Sequence, residues 1–289
     1  MTPGSVIGFD LGGTKSAIGR FDNQTFEQQA YERFFTNAEQ GFEKVIQDMV
    51  ERISQIRTPE TKAVGIGIPG LLKQPEGYLM NAPNLPGSHN FEIKKILEEA
   101  LKLPVAVDND ANAFALSEAM LGSGKGHKVI VGITLGTGVG GGIIIDQKIF
   151  HGAMGSAAEI GHMLLIPGKP PYLTADARGE VEQFISGTAL GRRCREAKRP
   201  EDYLDGEVCS FMHPDFFREV AWLCLNLTYL LNPSIIIFGG STGKALEPHL
   251  PSVRKDMQEW AIPNAPLPEL AMQTLEHPGT LGAALLTTL

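Results

Sequence analysis

The chain opens with a strand, a glycine turn and a second strand, "VIGFDLGGTKSAIGRFD" from Val6 to Asp22, and this order restricts the fold more than any other stretch. A P-loop needs G-x-x-x-x-G-K-[ST]; counting from Gly8, the second glycine falls at Gly13, but Thr14 takes the lysine place and Lys15 comes one residue late. Gly12 and Gly13 do not supply the G-x-G-x-x-G of a dinucleotide loop. Both motifs also require a helix directly after the glycines. Here "SAIGRFD" carries β-branched and aromatic residues around Gly19 and reads as a returning strand. The arrangement recurs: "GFDLGG" (Gly8 to Gly13) and "GITLGT" (Gly132 to Thr137) share G-x-[DT]-L-G, each between two strands. Two such hairpins suggest two related halves, although glycine hairpins are common in any β-containing protein.

Elsewhere strand and helix patterns alternate, as in an α/β fold. "GFEKVIQDMVERISQI" (Gly41 to Ile56) places Phe42, Val45, Ile46, Met49, Ile53 and Ile56 on one helical face. "AVGIGIPG" (Ala63 to Gly70) is a buried strand stopped by Pro69-Gly70, and "FEIKKILEEALKL" is an amphipathic helix. "PVAVDND" (Pro104 to Asp110) is a strand ending in polar residues, and "ANAFALSEAMLG" a helix closed by Gly122. "KVIVGITLGTGVGGGIIID" repeats the strand, turn and strand. Tyr172 to Lys198 reads as a loop entering a helix, and Asp215 to Leu231 as a long buried helix. "SIIIFGGSTG" is a buried strand reaching a third glycine turn, and "HPGTLGAALLTTL" a short helix.

The 289 residues suffice for one large domain or two smaller ones. A formal net charge of −8 leaves no electrostatic footprint for nucleic acid. The densest basic stretch, "GRRCREAKR" (Gly191 to Arg199), includes Glu196 and is followed by Glu201 and Asp202, so it reads as a solvated helix end. Cys194, Cys209 and Cys224 lie too far apart for a C-x-x-C motif, and an odd, sparse count suits a reducing cytosol. The longest apolar region, Ala221 to Gly240, is interrupted by Asn226, Asn232 and Pro233 and reads as a helix and a strand rather than a membrane span. No basic-plus-apolar leader opens the sequence. A cytoplasmic protein with no nucleic-acid or membrane partner is therefore expected.

Glycine hairpins approach a phosphate closely, because no Cβ intervenes and backbone N–H groups can point at the anion. Two of them can clamp a nucleoside triphosphate. Asp10, at a strand end, is placed to hold Mg²⁺ through water, and Thr14, Lys15 and Thr137 can add hydroxyl or charge contacts. One hairpin alone reads as a tight β-turn; two in one register, with "FGGSTG", favour the nucleotide. "VDNDANAFALSE" puts Asp108, Asn109 and Asp110 where a strand ends and a helix begins. Any of the three can serve as the N-cap. Two carboxylates and an amide exceed that need, and a helix N-terminus favours the ionised carboxylate required of a general base. In "AAEIGHM", Glu159 and His162 stand at i,i+3, a spacing open to metal ligation, to polyol recognition or to a structural role.

Taken in order, "GFDLGGTK", "VGIGIPG", "APNLPG", "DNDANAFALSEA", "LGTGVGGG", "EIGHM", "SGTAL", "IIIFGG" and "GTLGAA" resemble the ROK family of sugar kinases, repressors and uncharacterised open reading frames, from Gly8 to Ala284. The resemblance implies the two-lobed actin/hexokinase-like (ribonuclease H-like) ATPase fold with a duplicated α/β core. It implies a small lobe of residues 1–112 rejoined by a C-terminal helix at about 277–289, and a large lobe of residues 113–276. The implied activity is ATP-dependent phosphorylation of a hexose 6-hydroxyl. "LGTGVGGG" and "DNDANAFALSEA" look most like N-acetylglucosamine kinases, with glucokinases sharing nearly all the same positions. Fructose, mannose and N-acetylmannosamine are alternative substrates, and a non-catalytic sugar-sensing regulator is the alternative of another class. Family repressors carry an N-terminal helix-turn-helix, for which the residues before the first strand leave no room.

On the same resemblance Asp110 is the catalytic base, and Gly70, Asn84, Asn109, Asp110, Glu159, His162 and Glu182 meet the sugar. Asp10, Gly12, Gly13, Thr14, Lys15, Gly136, Thr137, Gly138, Gly140 and Gly141 serve the ATP phosphates, and Gly239 and Gly240 the nucleoside. Mg²⁺ is held by Asp10 through water, and a homodimer is common in the family. One departure stands out. Many relatives follow "GHM" with a C-x-C-G-x-x-G-C-x-E run whose cysteines, with the motif histidine, bind structural zinc. Here Leu173, Ala175 and Glu180 take the cysteine places while Gly179 and Glu182 remain. No structural zinc is expected, because Leu, Ala and Glu cannot stand in for three thiolates.

Overall fold

The computed structural model describes residues 3–197 and 200–289, so Lys198 and Arg199 of the basic stretch lie outside the described residues. The first elements are β1 (Ser5–Asp10), β2 (Lys15–Asp22), β3 (Gln28–Phe35), α1 (Phe42–Ile56), β4 (Thr61–Ile68), β5 (Leu71–Lys73), β6 (Tyr78–Asn81) and α2 (Ile93–Leu101). Then come β7 (Val105–Asn109), α3 (Asp110–Leu121), β8 (Val129–Leu135), β9 (Val139–Ile145), β10 (Lys148–Ile149), α4 (Glu182–Ile185) and α5 (Gly187–Arg193). The remainder are α6 (His213–Leu231), β11 (Ile235–Gly239), α7 (Gly240–Leu246), α8 (Leu250–Trp260), β12 (Glu269–Met272) and α9 (Pro278–Leu285). They form two compact units: unit 1 is Met1–Glu118, Lys148–Ala157 and Leu275–Leu289, and unit 2 is Ala119–Gln147 and Ala158–Thr274.

Unit 1 is built on a sheet of order β3-β2-β1-β4-β7. β1 pairs with β2 as an antiparallel hairpin, and β4 and β7 follow parallel to β1. Side chains alternate across the sheet. Ile7 and Phe9 of β1, Val64, Ile66 and Ile68 of β4, and Val105 and Val107 of β7 share one core with Phe42, Val45 and Met49 of α1 and Ile93 and Leu97 of α2. The intervening positions face the other way, and there Gly8 stands opposite Gly65 in register. α9 rests on this glycine pair backbone to backbone. A Cβ on Gly8 would stand 1.8 Å from the Thr280 carbonyl oxygen, and one on Gly65 would stand 1.7 Å from that of Ala283. Gly282 makes the equivalent approach to α3, where its Cβ would stand 1.8 Å from the Ala113 oxygen.

In unit 2 the strands lie in the order β9-β8-β11-β12. β8 and β9 are the antiparallel glycine hairpin, and β11 and β12 run parallel to β8. Val131, Ile133 and Leu135 of β8 and Ile236 and Phe238 of β11 pack with Phe216, Val220 and Leu223 of α6 and Val253 and Met257 of α8. Each unit thus starts from a glycine hairpin and adds parallel strands, the repeat that "GFDLGG" and "GITLGT" suggest.

Several features differ from the sequence reading. β3 is an edge strand with most of its residues exposed, so it carries no alternating apolar signal. α8 buries only Val253 and Met257, too few for a recognisable stripe. The cysteines do not all stay free: Cys194 and Cys209 form a disulfide with their Cα atoms 5.9 Å apart, and Cys224 is buried and unpaired. The chain returns from the end of α5 to the turn before α6, a proximity that spacing along the sequence does not reveal. The basic helix end is not wholly solvated either. Arg193 turns inward to a buried ion pair with Glu219 and donates to the Phe184 carbonyl at 2.9 Å.

Replacing Gly65 with Ala drives a methyl group into the α9 backbone, which a side-chain rotation cannot relieve. We expect Gly65→Ala to destabilise the protein by about 3 kcal/mol or more, at the upper end of overpacking costs. Chemical denaturation of the variant and parent measures this, and an unchanged midpoint contradicts the contact.

Candidate active site

In unit 1 the C-terminal ends of the parallel strands β1, β4 and β7 carry Asp10, Pro69-Gly70 and Asn109, and such strand ends are where open α/β sheets bind ligands. The β1–β2 turn is held from below. Leu11 N donates to the Gly67 oxygen at 2.8 Å, and the Thr36 hydroxyl donates to the Gly12 oxygen at 2.6 Å. A Cβ on Gly13 would stand 2.9 Å from the Asn84 Cβ, so the "APNLPG" loop lies against the hairpin. Thr14 and Lys15 are exposed at its tip, with the Lys15 ammonium 5.5 Å from the centre of the Phe35 ring.

The end of β7 does two jobs. Asn109 Oδ1 accepts from the backbone N–H of Ala111 at 2.8 Å and of Asn112 at 3.3 Å, which caps α3, while its Nδ2 donates to the Gly70 oxygen at 3.2 Å. Asn109 is therefore the cap, and Asp110 begins the first turn, its Oδ1 accepting from Ala111 N at 2.9 Å. Asp108 is buried, with Oδ1 accepting from Asn109 N at 2.7 Å and from Asn112 Nδ2 at 2.9 Å. Asp10 packs against the start of α9, where a Cβ on Gly279 would fall 2.2 Å from its Oδ2. Burial, then the nearby Asp110 charge, push the Asp10 carboxyl up to about 7, with Arg33 acting in the opposite direction.

In unit 2 the β8–β9 turn is fastened by the start of α5. Gly187 N donates to the Gly136 oxygen at 2.7 Å, and the Thr188 hydroxyl donates to the Thr137 oxygen at 2.8 Å. Thr137 is exposed, and a Cβ on Gly136 would meet nothing within 4 Å, so this face of the turn is open. Glu182 commits one oxygen to the hairpin, Oε2 accepting from Val139 N at 2.9 Å. Gly240 follows β11 at φ 83° and donates its N–H to Gln273 Oε1 at 3.2 Å. The Thr242 hydroxyl nearby is buried without a hydrogen-bond partner among the described residues.

His162 ends a short 3₁₀ turn (Ile160–His162), and Glu159 is the residue immediately before it. Gly161 seats this turn on β9, since its Cβ would fall 2.3 Å from the Val139 oxygen. Burial raises the Glu159 carboxyl above its ordinary value, His162 opposes the rise and Glu182 adds to it. His162 Nδ1 meets Glu180 Oε2 at 3.1 Å. Arg178 reaches Glu180 Oε1 at 3.0 Å and grips Asp176 with a second pairing at 2.8 Å. Gln183 Oε1 accepts from Gly179 N at 2.7 Å, and its Nε2 donates to the Asp176 oxygen at 2.6 Å. This loop is closed by side chains where the resemblance leads one to look for zinc. Among the described residues no three His, Cys, Asp or Glu side chains converge to hold a metal ion, and Leu173 and Ala175 supply no donor. The donor set does not fit structural zinc.

The structure thus gathers Asp10, Gly12, Gly13, Gly70, Asn84, Asn109 and Asp110 in unit 1, and Gly136 to Gly138, Glu159, His162 and Glu182 in unit 2. Sequence reasoning missed Arg178 and Gln183, which order the loop before α4 through partners two to seven residues away, and Thr188, which holds the β8–β9 turn from 51 residues along the chain. It also noted Glu180 only as a lost cysteine.

Paired glycine hairpins, each continued by parallel strands, with acids at the strand ends, define the actin/hexokinase-like class of sugar kinases. The chain matches the ROK family over residues 6–288 and belongs to it. It is 31% identical to a glucokinase of Thermotoga maritima, covering 96% of each chain. It is 32% identical to an N-acetyl-D-glucosamine kinase of Photobacterium profundum, over 81% of this chain and 82% of the relative. A ROK family glucokinase from Streptomyces griseus, solved in complex with glucose and AMPPNP, superposes with a TM-score of 0.78 at 32% identity, covering 97% of this chain and 98% of that one.

Asp10 also has a consequence for stability. Its carboxyl stands at about 7 in the folded protein against an ordinary value of 3.8. Between those values the folded state holds a proton that the unfolded chain has released, so stability falls as pH rises through that window. Asp10→Asn removes the effect. Without nucleotide or Mg²⁺, the variant should melt several degrees above the parent at pH 8.5, with a much smaller gap at pH 5. Thermal melts at the two pH values test this, and an equal gap at both contradicts it.

Proposed function

We propose that this kinase transfers the γ-phosphate of ATP to the 6-hydroxyl of glucose or N-acetylglucosamine. The observation that carries the reading is the turn after β7: Asn109 takes over the capping of α3 and leaves Asp110 on its first turn, in the same unit as Asp10 and the first glycine hairpin. Asp110 is the general base that accepts the hydroxyl proton, and the helix N-terminus favours its ionised form. Phosphoryl transfer asks little more of the protein than this, positioning and charge stabilisation. Asn109, Gly70 and Asn84, with Glu159, His162 and the other oxygen of Glu182, recognise the sugar hydroxyls. Gly12, Gly13, Thr14 and Lys15, with Gly136, Thr137, Gly138, Gly140 and Gly141, receive the phosphates, and Gly239 and Gly240 the nucleoside. The Streptomyces griseus relative, solved with glucose and AMPPNP, supports the pairing of sugar and nucleotide. The glucokinase and N-acetylglucosamine kinase relatives support the two sugars named.

Two crowded carboxylates, Asp10 and Asp110, opposed by Arg33, suit a hard divalent cation. Asp10 would hold Mg²⁺ through water, and the cation would supply neutralisation of phosphate charge there. The enzyme is read as cytoplasmic, where a Cys194–Cys209 disulfide is unusual. A homodimer is the assembly expected from the family.

An ADP-release assay over glucose, N-acetylglucosamine, N-acetylmannosamine, mannose and fructose tests the substrate, with turnover expected on one of the first two. Asp110→Asn should lower kcat by about 10²–10⁴-fold while sugar affinity, measured by calorimetry, stays within a few-fold. Substantial retained turnover contradicts the base assignment. Elemental analysis of the purified protein should find well under one zinc per chain, and a chelator should leave its melting temperature unchanged.

A further inference from the structure

Residues 148–157 group with unit 1 although the chain on both sides of them belongs to unit 2. Specific contacts anchor this excursion. The Ala157 N–H donates to the His151 oxygen at 3.1 Å and closes the segment into a loop. Gly155, at φ 83°, lies so close to β5 that a Cβ on it would stand 2.5 Å from the Leu72 oxygen. The residue after β5, Gln74, donates its Nε2 to the Val107 oxygen at 2.8 Å, so the same hairpin also grips β7. At the closure of this loop, His151 Nε2 meets Asp108 Oδ2 at 2.6 Å. This contact raises the imidazole above its ordinary value, the Asp108 hydrogen bond outweighing burial.

Asp108 is the buried acid immediately before the functional pair. Its second oxygen holds the backbone N–H of Asn109 and the side chain of Asn112, on either side of Asp110. A buried carboxylate stays in place only while donors satisfy it, and a charged donor counts for more than a neutral one. Without His151, Asp108 keeps two neutral donors. Turning outward to water then becomes favourable, and that movement releases the backbone of Asn109 and the first turn of α3.

We infer that His151, acting through Asp108, is a positioning residue for the Asn109–Asp110 turn, an inference that rests on the proposed kinase role of Asp110. The ring does not touch the sugar. It fixes the carboxylate that fixes the turn, so its loss weakens the sugar side of the reaction and leaves the nucleotide side alone.

The test compares His151→Leu and His151→Gln in steady-state kinetics, on the sugar with the highest turnover. The Gln amide can reach the Asp108 carboxylate from the position of Nε2. His151→Leu should lower kcat/KM for the sugar at least 10-fold while KM for ATP stays within 2-fold, and His151→Gln should recover to within 3-fold of the parent. NMR titration of the His151 ring should give a value above the ordinary 6.5 in the parent and a lower one in Asp108→Asn. Parent-like sugar kinetics in His151→Leu, equal losses in the Leu and Gln variants, or a ring titration indifferent to Asp108→Asn overturns the inference. If His151→Leu is fully active while Asp110→Asn is dead, this inference alone fails. If Asp110→Asn retains turnover, the base assignment fails and takes the inference with it.

Discussion

The backbone of α9 rests directly on the backbone of the first sheet, and the geometry of unit 1 depends on that contact. Gly8 and Gly65 sit opposite each other in adjacent strands, and a side chain at either would collide with the Thr280 or Ala283 oxygen. Glycine weakens a strand interior, so its presence at paired positions calls for a reason, and the approaching helix supplies one. From this seat the start of α9 meets Asp10 through Gly279, and its middle meets α3 through Gly282 and Ala113. One close approach therefore places the acid at the end of β1 and the helix that begins with Asp110. The acids acquire their proximity, and Asp10 its shifted titration, from backbone packing rather than from any local motif.

Features carried by local pattern were legible in the sequence. The two glycine hairpins, the amphipathic α1 and α2 and the buried β11 follow from periodicity and from glycine turns, which act within a few residues. Elements whose burial is decided by distant partners were not. β3 is an exposed edge, and β5 and β6 form a hairpin too short for a pattern. The same division runs through the site. Asn109 and Asp110 announce themselves as a polar cluster at a strand-to-helix junction, although only the hydrogen bonds of the folded turn separate the cap from the residue beside it. His151 lies in no motif, because its meaning comes from Asp108, brought to it by the fold. The Cys194–Cys209 pair is hidden in the same way, joined across a loop that spacing reads as open.

The loop from Leu173 to Gln183 shows how one ordering device can replace another. A metal orders a loop by drawing several ligands to one point. Here the loop is drawn together by a chain of partners, from Asp176 through Arg178 and Glu180 to His162, with Gln183 closing the backbone behind them. Glu180 is buried at the centre of the chain, where charge-assisted hydrogen bonds are strongest. His162 remains tethered, and the protein's own carboxylate does the tethering.

The seat of α9 also governs the order in which the molecule can be completed during synthesis. β1, β2, β4 and β7 leave the ribosome early, yet the helix that covers their glycine face is encoded after all of unit 2. Domains made of one continuous segment can fold as soon as they emerge. Unit 1 cannot, because its sheet stays bare on that face until Thr280 and Ala283 arrive. Unit 2, whose hairpin, long helix and parallel strands have all been made by then, is free to finish first. The nascent chain therefore carries an unfinished unit 1 throughout the synthesis of unit 2, and the arrival of α9 ends that exposure.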